Sequence, residues 1–167
     1  MWVIRIDFHF FEEIPKWNNK NSIFHNGVLL YFIGGEIFPK RILNATLSSE
    51  ILQLKYYMNP EINKGLYEGE KTKSFVEMYN ITYPEDENVL NDYRYDFTPL
   101  SFSDAGCFAF LVSNGHEIRI LASELKYNLN ESIYALNNIN IIETFITNDE
   151  FCELGHQLDN ISIQWNL

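Results

Sequence analysis

Basic residues are scarce where acidic ones are plentiful. Residues 74–167 carry three Lys/Arg against fifteen Asp/Glu, and no Lys or Arg follows Lys126. Residues 1–73 are near balance, nine against eight, so almost all of the formal charge of -11 belongs to the second half. A surface of that sign repels phosphate backbones, which excludes direct binding of DNA or RNA. Cysteine is nearly absent too. Cys107 lies in an apolar run and Cys152 in an expected helix, and a domain of this length needs no covalent staple, so the sequence predicts two free, buried thiols in a reducing compartment. Long hydrophobic runs are missing as well. Arg5, Asp7 and His9 interrupt the apolar N-terminal stretch before it reaches the length of a signal-peptide core or a membrane span, which predicts a cytoplasmic protein that avoids membranes.

Signatures of chemistry are also lacking. The chain has no GxSxG elbow, no phosphate-cradling P-loop, no GxGxxG and no HExxH, so no catalytic residue and no cofactor site is assigned. Gly34-Gly35 joins two expected strands and opens no helix, which reads as a turn. Cys152 and His156 share a helix face at a spacing of four, but no CxxC or HxxxH pair completes a metal site. Asp86 and Asp92 stand in one polar segment without the glycine pivot and terminal glutamate of a calcium loop. A Ser/His/Asp set gathered from distant segments is recognised by geometry rather than spacing, so a hydrolase stays open as a third reading.

What the sequence does have is aromatic mass. Thirteen Phe and ten Tyr in 167 residues are enough apolar bulk for one packed core, with the charge outside it. Residues 3–10 alternate, with Ile4, Ile6, Phe8 and Phe10 on one face and Arg5, Asp7 and His9 on the other, which predicts a half-buried strand. Residues 28–33 form a continuous apolar run before the glycine pair and predict a central strand. From Thr46 the period changes: Leu47, Ile51, Leu54 and Met58 predict an amphipathic helix that Asn59-Pro60 stops. Residues 74–79 fit a short helix or a strand. Residues 107–112 are apolar on both faces, and Asn114-Gly115 predicts a hairpin whose return strand turns Ile118 and Ile120 inward and Glu117 and Arg119 outward. An Ile-rich strand is expected over 139–146, a helix capped by Thr147 over 148–158, and a last strand in Ile161-Ser162-Ile163-Gln164-Trp165. These elements predict an α+β fold: a single domain over residues 1–167, with a mainly antiparallel sheet and two or three packed helices.

The segment 83–96, YPEDENVLNDYRYD, concentrates five carboxylates and three tyrosines around one arginine. Its turn formers Pro84, Asn88, Asn91 and Asp92 predict a loop. A one-signed surface speeds association with a partner of opposite sign, and tyrosine buries a rigid ring while keeping a hydroxyl for bonding. Glu85, Asp86, Glu87, Asp92, Tyr93, Tyr95 and Asp96 are therefore the candidate partner-binding residues, on an exposed face. The Lys/Arg-free C-terminal third, with Asp149, Glu150 and Glu153, is the alternative face.

The order of elements carries a resemblance. The segments NGVLLYFIGGEIFP, TLSSEILQLKYY and CFAFLVSNGHEIRIL resemble those of the small acidic immunity proteins of bacterial polymorphic toxin and contact-dependent growth inhibition systems. The resemblance covers about two thirds of the chain and places nothing over residues 66–104. It implies a protein without a reaction of its own that binds and neutralises the C-terminal domain of a cognate toxin. Many such toxins are nucleases with basic surfaces, which an acidic inhibitor complements. The other reading is a cytosolic adaptor or regulatory protein that holds a different basic protein.

Overall fold

The structure, a computed structural model, describes residues 8–11 and 25–167. The fold is α+β, built on two antiparallel sheets where the sequence suggested one. In the first, β2 (Asn26–Ile33) is central. β1 (Phe8–Phe11) pairs along one edge, while β3 (Glu36–Phe38) and β4 (Asn44–Thr46) pair along the other. One face of β2, Leu29, Tyr31 and Ile33, is buried, while Leu30 and Phe32 on the other are half-buried. The strand expected over residues 3–10 is seen at its C-terminal end, in β1, and the remainder lies outside the described residues, as does the polar segment of residues 15–22.

The second sheet has the order β5-β6-β9, from β5 (Cys107–Ser113), β6 (Glu117–Glu124) and β9 (Ile142–Thr147). The β5–β6 hairpin turns at Asn114-Gly115-His116, where the Asn114 side chain accepts the amides of His116 and Glu117 and Gly115 takes φ of 97°. A short ribbon of β7 (Lys126–Asn128) and β8 (Ile133–Ala135) stands apart from both sheets.

Among the described residues, three longer helices and two short ones cover these strands: α1 (Leu47–Tyr57), α2 (Lys64–Glu68), α3 (Lys71–Thr82), α4 (Leu100–Ser103) and α5 (Asn148–Trp165). The ambiguous residues 74–79 thus lie within helix α3. Leu47, Ile51 and Leu54 of α1 and Phe151, Leu154 and Leu158 of α5 meet Leu29, Tyr31 and Ile33 of β2 and Ala109, Leu111 and Ile120 of the second sheet in one core. The opposite face of the second sheet carries a second core, in which Phe108, Phe110, Val112 and Leu121 receive Phe75, Met78 and Tyr79 of α3. Two covered faces account for the uninterrupted apolar run of β5.

That second cover corrects the expectation for Arg119. It faces α2 and α3 rather than solvent and is 3% exposed. The expected final strand is also corrected: residues 161–165 are the last turns of α5. Thr147 and Glu150 close a reciprocal capping box at its start, and Asn166 ends it in the left-handed conformation. Five alternating residues fit either period, but Leu158, Ile161, Ser162 and Trp165 continue the inward stripe of α5, and Trp165 stacks on His25 at 4.3 Å. Cys107 is buried as expected; Cys152 is exposed on α5, which corrects the expectation for the second thiol.

The two sheets meet at the β2–β3 turn. Gly34 has φ of 59°, and a Cβ there would stand 2.7 Å from the Glu143 carbonyl oxygen of β9. Only glycine suits both the left-handed backbone and that close approach. Along the outer edge of β5, Glu61 and Asn63 bond to Ser113, and Tyr95 and Phe97 bond to Leu111 and Ala109. The free edge of that strand is thereby paired.

Candidate functional site

The segment 83–96 leaves α3 and returns along β5, and its parts differ in exposure. Glu85, Asp86 and Glu87 are exposed at its outer turn, where an Asp86 carboxylate oxygen accepts the backbone and side-chain amides of Asn88 at 2.9 and 2.8 Å. Those bonds hold the Asp86 carboxyl below its ordinary range. Val89 and Leu90 follow, and Leu90 is 89% exposed. The Asp92 amide donates to the Ile81 carbonyl, which ties the loop back to α3.

Asp92 is half-buried and engaged: Arg94 donates from Nε at 2.7 Å and pairs through its guanidinium at 2.6 Å. The only arginine of the stretch is thus spent inside the stretch, and its hydrogen bond holds the Asp92 carboxyl low. Tyr93 is exposed, and its hydroxyl accepts from the Asn91 side chain.

Tyr95 and Asp96 are buried, at 5% and 3% exposure, which corrects the exposed position expected of them. The cause is the edge pairing: Asp96 bridges Phe110 of β5, and Tyr95 joins the second core. The alternation Tyr93-Arg94-Tyr95-Asp96-Phe97 is a period-two signal that points to an extended segment. It was masked by the turn formers before it. Sequence reasoning also passed over Val89 and Leu90, whose apolar exposure no periodicity reveals, and Tyr56 of α1, which is 80% exposed.

Tyr56, Tyr57, Leu90, Asp92, Tyr93 and Asp96 line a cleft of about 600 Å³ between the end of α1 and the returning segment. On the other side of Leu90 lies a second, more apolar groove against α3, bounded by Val76, Ile81 and Val89. Leu90 separates the two. In the cleft, Asp96 accepts the Thr98 amide at 3.1 Å and the Tyr83 hydroxyl at 3.4 Å. Burial raises its carboxyl above the ordinary aspartate value, and bonds from Thr98, Tyr57 and Tyr83 oppose that rise without cancelling it. Burial also pushes the Tyr57 and Tyr83 hydroxyls well up, with the Asp96 charge adding to both.

The immunity protein 42 family model matches residues 7–161. The chain belongs to that family. Its fold is similar to the crystal structure of CdiI from Burkholderia dolosa AUO158, with a TM-score of 0.70 and 20% identity over 93% of this chain and 95% of that one. No curated protein matches the chain.

For this immunity protein the alternative C-terminal face is less open than its charge suggests. Asp149, Glu150 and Glu153 are exposed on α5, but Glu150 is held in the capping box, accepting the Thr147 amide at 2.8 Å. Lys55 answers Asp159 at 2.9 Å. His156 and Cys152 are exposed on the same helix. No helix among the described residues is long and apolar enough to cross a membrane.

Asp96 supplies a pH-dependent expectation. The phenols of Tyr31, Tyr57 and Tyr83 that face it are neutral through the acid and neutral range, and of the charged groups lining the same cleft, Glu61, Asp92 and Arg94, the last two pair with each other. Its folded pKa is raised, so the fold favours the protonated form. The ionised carboxylate therefore costs stability increasingly as pH rises from the ordinary aspartate range to the raised value, and at a constant level above it. Asp96→Asn is expected to raise the urea midpoint at neutral pH, with the advantage shrinking toward zero at acid pH. Urea titrations of both proteins across that range check the sign.

Proposed function

We propose that this protein is the cytoplasmic, non-enzymatic antitoxin of a contact-dependent growth inhibition or related polymorphic toxin system. It binds a cognate toxin C-terminal domain through the face carried by residues 83–96 and neutralises it. Family membership supports the antitoxin role, and the CdiI of the structural neighbour supports the type of system. The observation that carries the placement is Leu90, an almost fully exposed leucine that lines two clefts together with Asp92, in a loop whose preceding turn exposes Glu85, Asp86 and Glu87.

An apolar anchor within a charged, hydrogen-bonding rim is the usual anatomy of a protein interface. The acidic rim favours a basic partner, and a nuclease domain is basic because it grips phosphates. The same sign keeps the antitoxin itself off nucleic acid.

The test uses the cognate toxin domain, sought first in the open reading frame next to this gene. Reversal of Glu85, Asp86 and Glu87 to Lys is expected to slow association and flatten its salt dependence, because rim charges act mainly on the approach. Leu90→Ala is expected to speed dissociation and weaken binding by about 2 kcal/mol or more, the size of an interface hot spot. Rate measurements at low and high salt separate the two effects. Unchanged kinetics in both variants move the interface elsewhere, first to Asp149 and Glu153 of α5.

A further inference from the structure

The cleft beside Leu90 holds a buried carboxylate, Asp96, and the cation that lines it, Arg94, is paired with Asp92 instead. Among the described residues no Lys or Arg pairs with Asp96: the nearest in sequence, Arg94, is held by Asp92, and Arg119 by Glu143. Asp96 accepts the Thr98 amide at 3.1 Å and the Tyr83 hydroxyl at 3.4 Å, with further bonds from the Thr98 and Tyr57 side chains; all of these donors are neutral, whereas a carboxylate's strong hydrogen bonds come from charged ones. Around it stand the rings of Tyr56, Tyr57 and Tyr93, with Glu61 and the Asp92–Arg94 pair also lining the cleft. Aromatic faces attract a cation, and a desolvated carboxylate attracts it more strongly than an exposed one.

We propose that this cleft is a slot for one arginine side chain of the toxin domain, whose guanidinium stacks among Tyr56, Tyr57 and Tyr93 and donates to Asp96. The inference rests on the antitoxin reading and gives it a specific contact. Arginine fits better than lysine, since its planar fork both stacks on aromatic rings and donates in parallel to a carboxylate. A volume of about 600 Å³ admits a guanidinium together with ordered water. The stability that the ionised Asp96 costs the free protein has the same sense: a group kept against folding stability is characteristic of a binding site. On binding, the arriving cation stabilises the ionised carboxylate.

The experiment titrates the cognate toxin domain, carrying an inactivating substitution, into wild type, Asp96→Asn and Tyr56→Ala, with urea midpoints for each. Asp96→Asn is expected to bind about 30-fold more weakly, as for loss of one partner of a buried charge pair, although it folds at least as stably. Tyr56, 80% exposed, is replaceable without disturbing the core, and Tyr56→Ala is expected to weaken binding by up to about tenfold through the lost ring face. Alanine substitution of each toxin arginine should reveal one whose effect largely disappears in the Asp96→Asn background. The slot is overturned if Asp96→Asn and Tyr56→Ala bind like wild type, or if no toxin arginine couples to Asp96, while Leu90→Ala still weakens the complex. A wild-type protein that binds no toxin domain overturns the antitoxin reading, and the slot with it.

Discussion

Replacing Arg119 with Met is expected to cost about 3–5 kcal/mol, because it removes a guanidinium that is 4% exposed from a partly buried Glu143, 26% exposed, and from three backbone carbonyls at once. Arg119 reaches from β6 into the space between the second sheet and α2. Its Nε and one terminal nitrogen both lie 2.6 Å from Glu143 Oε1. The other terminal nitrogen stands 2.8, 2.8 and 2.9 Å from the carbonyls of Leu66, Tyr67 and Gly69, and 3.3 Å from Ser74 Oγ. Two N–H groups shared among four acceptors make each bond weaker than an ideal one. The side chain nevertheless satisfies the end of α2 and the start of α3 together, and the guanidinium also lies 5.8 Å from the centre of the Phe145 ring.

Methionine matches the length but donates nothing, so Glu143 and three carbonyls lose their partner at once. Set against a typical total of about 5–15 kcal/mol for a folded domain, such a loss is large. Urea unfolding measures it. The double variant Arg119→Met with Glu143→Gln should recover part of the loss, since the unpaired charge is then gone. A single variant within about 1 kcal/mol of wild type, inside the ordinary range for surface substitutions and mild changes, would show that α2 and α3 are held by packing alone.

Phe108→Ala is expected to cost about 3–5 kcal/mol, the range for emptying a buried aromatic site. Phe108 is 3% exposed, and its ring meets those of Tyr79, Tyr83 and Tyr134 edge-on at 5.1, 5.2 and 5.1 Å. Tyr83 is the first residue of the candidate binding segment. Removing the ring beneath it should therefore loosen residues 83–96 as well as lower global stability. Hydrogen exchange reads the two separately: faster exchange throughout the core reports the global loss, and an additional increase confined to the segment reports the local one. Phe108→Leu, which keeps most of the volume, should cost less. Equal exchange in the segment and the core would indicate that Tyr83 does not depend on Phe108 for its position.

Both residues support the proposed binding face from beneath. Arg119 fixes α2 and the entry to α3, Phe108 fixes the exit from α3, and the acidic segment hangs between that exit and the edge of β5. A binding loop needs a rigid support to present its anchors, because every side chain ordered only on association costs affinity.

The sequence by itself determined the elements whose hydrophobic period is unambiguous. The α1 helix over Leu47, Ile51 and Leu54, the β2 run before Gly34-Gly35, the Asn114-Gly115 hairpin and the Thr147 cap are all local statements, set by neighbours within a few residues along the chain. The resemblance to immunity proteins was legible as well, because it rested on an order of such local elements. The charge map was legible because it only required counting. Tertiary structure alone decided the rest. Whether Ile161-Ser162-Ile163-Gln164-Trp165 continues a helix depends on what Trp165 packs against, and whether Arg119 points to water depends on whether α2 and α3 cover that face of the sheet. Tyr95 and Asp96 sit in the most acidic stretch of the chain and are buried because β5 had an unpaired edge that they fill, while Leu90, three residues from Glu87, stays in solvent. Burial depends on which distant backbone comes alongside, and a chain's composition carries no record of that.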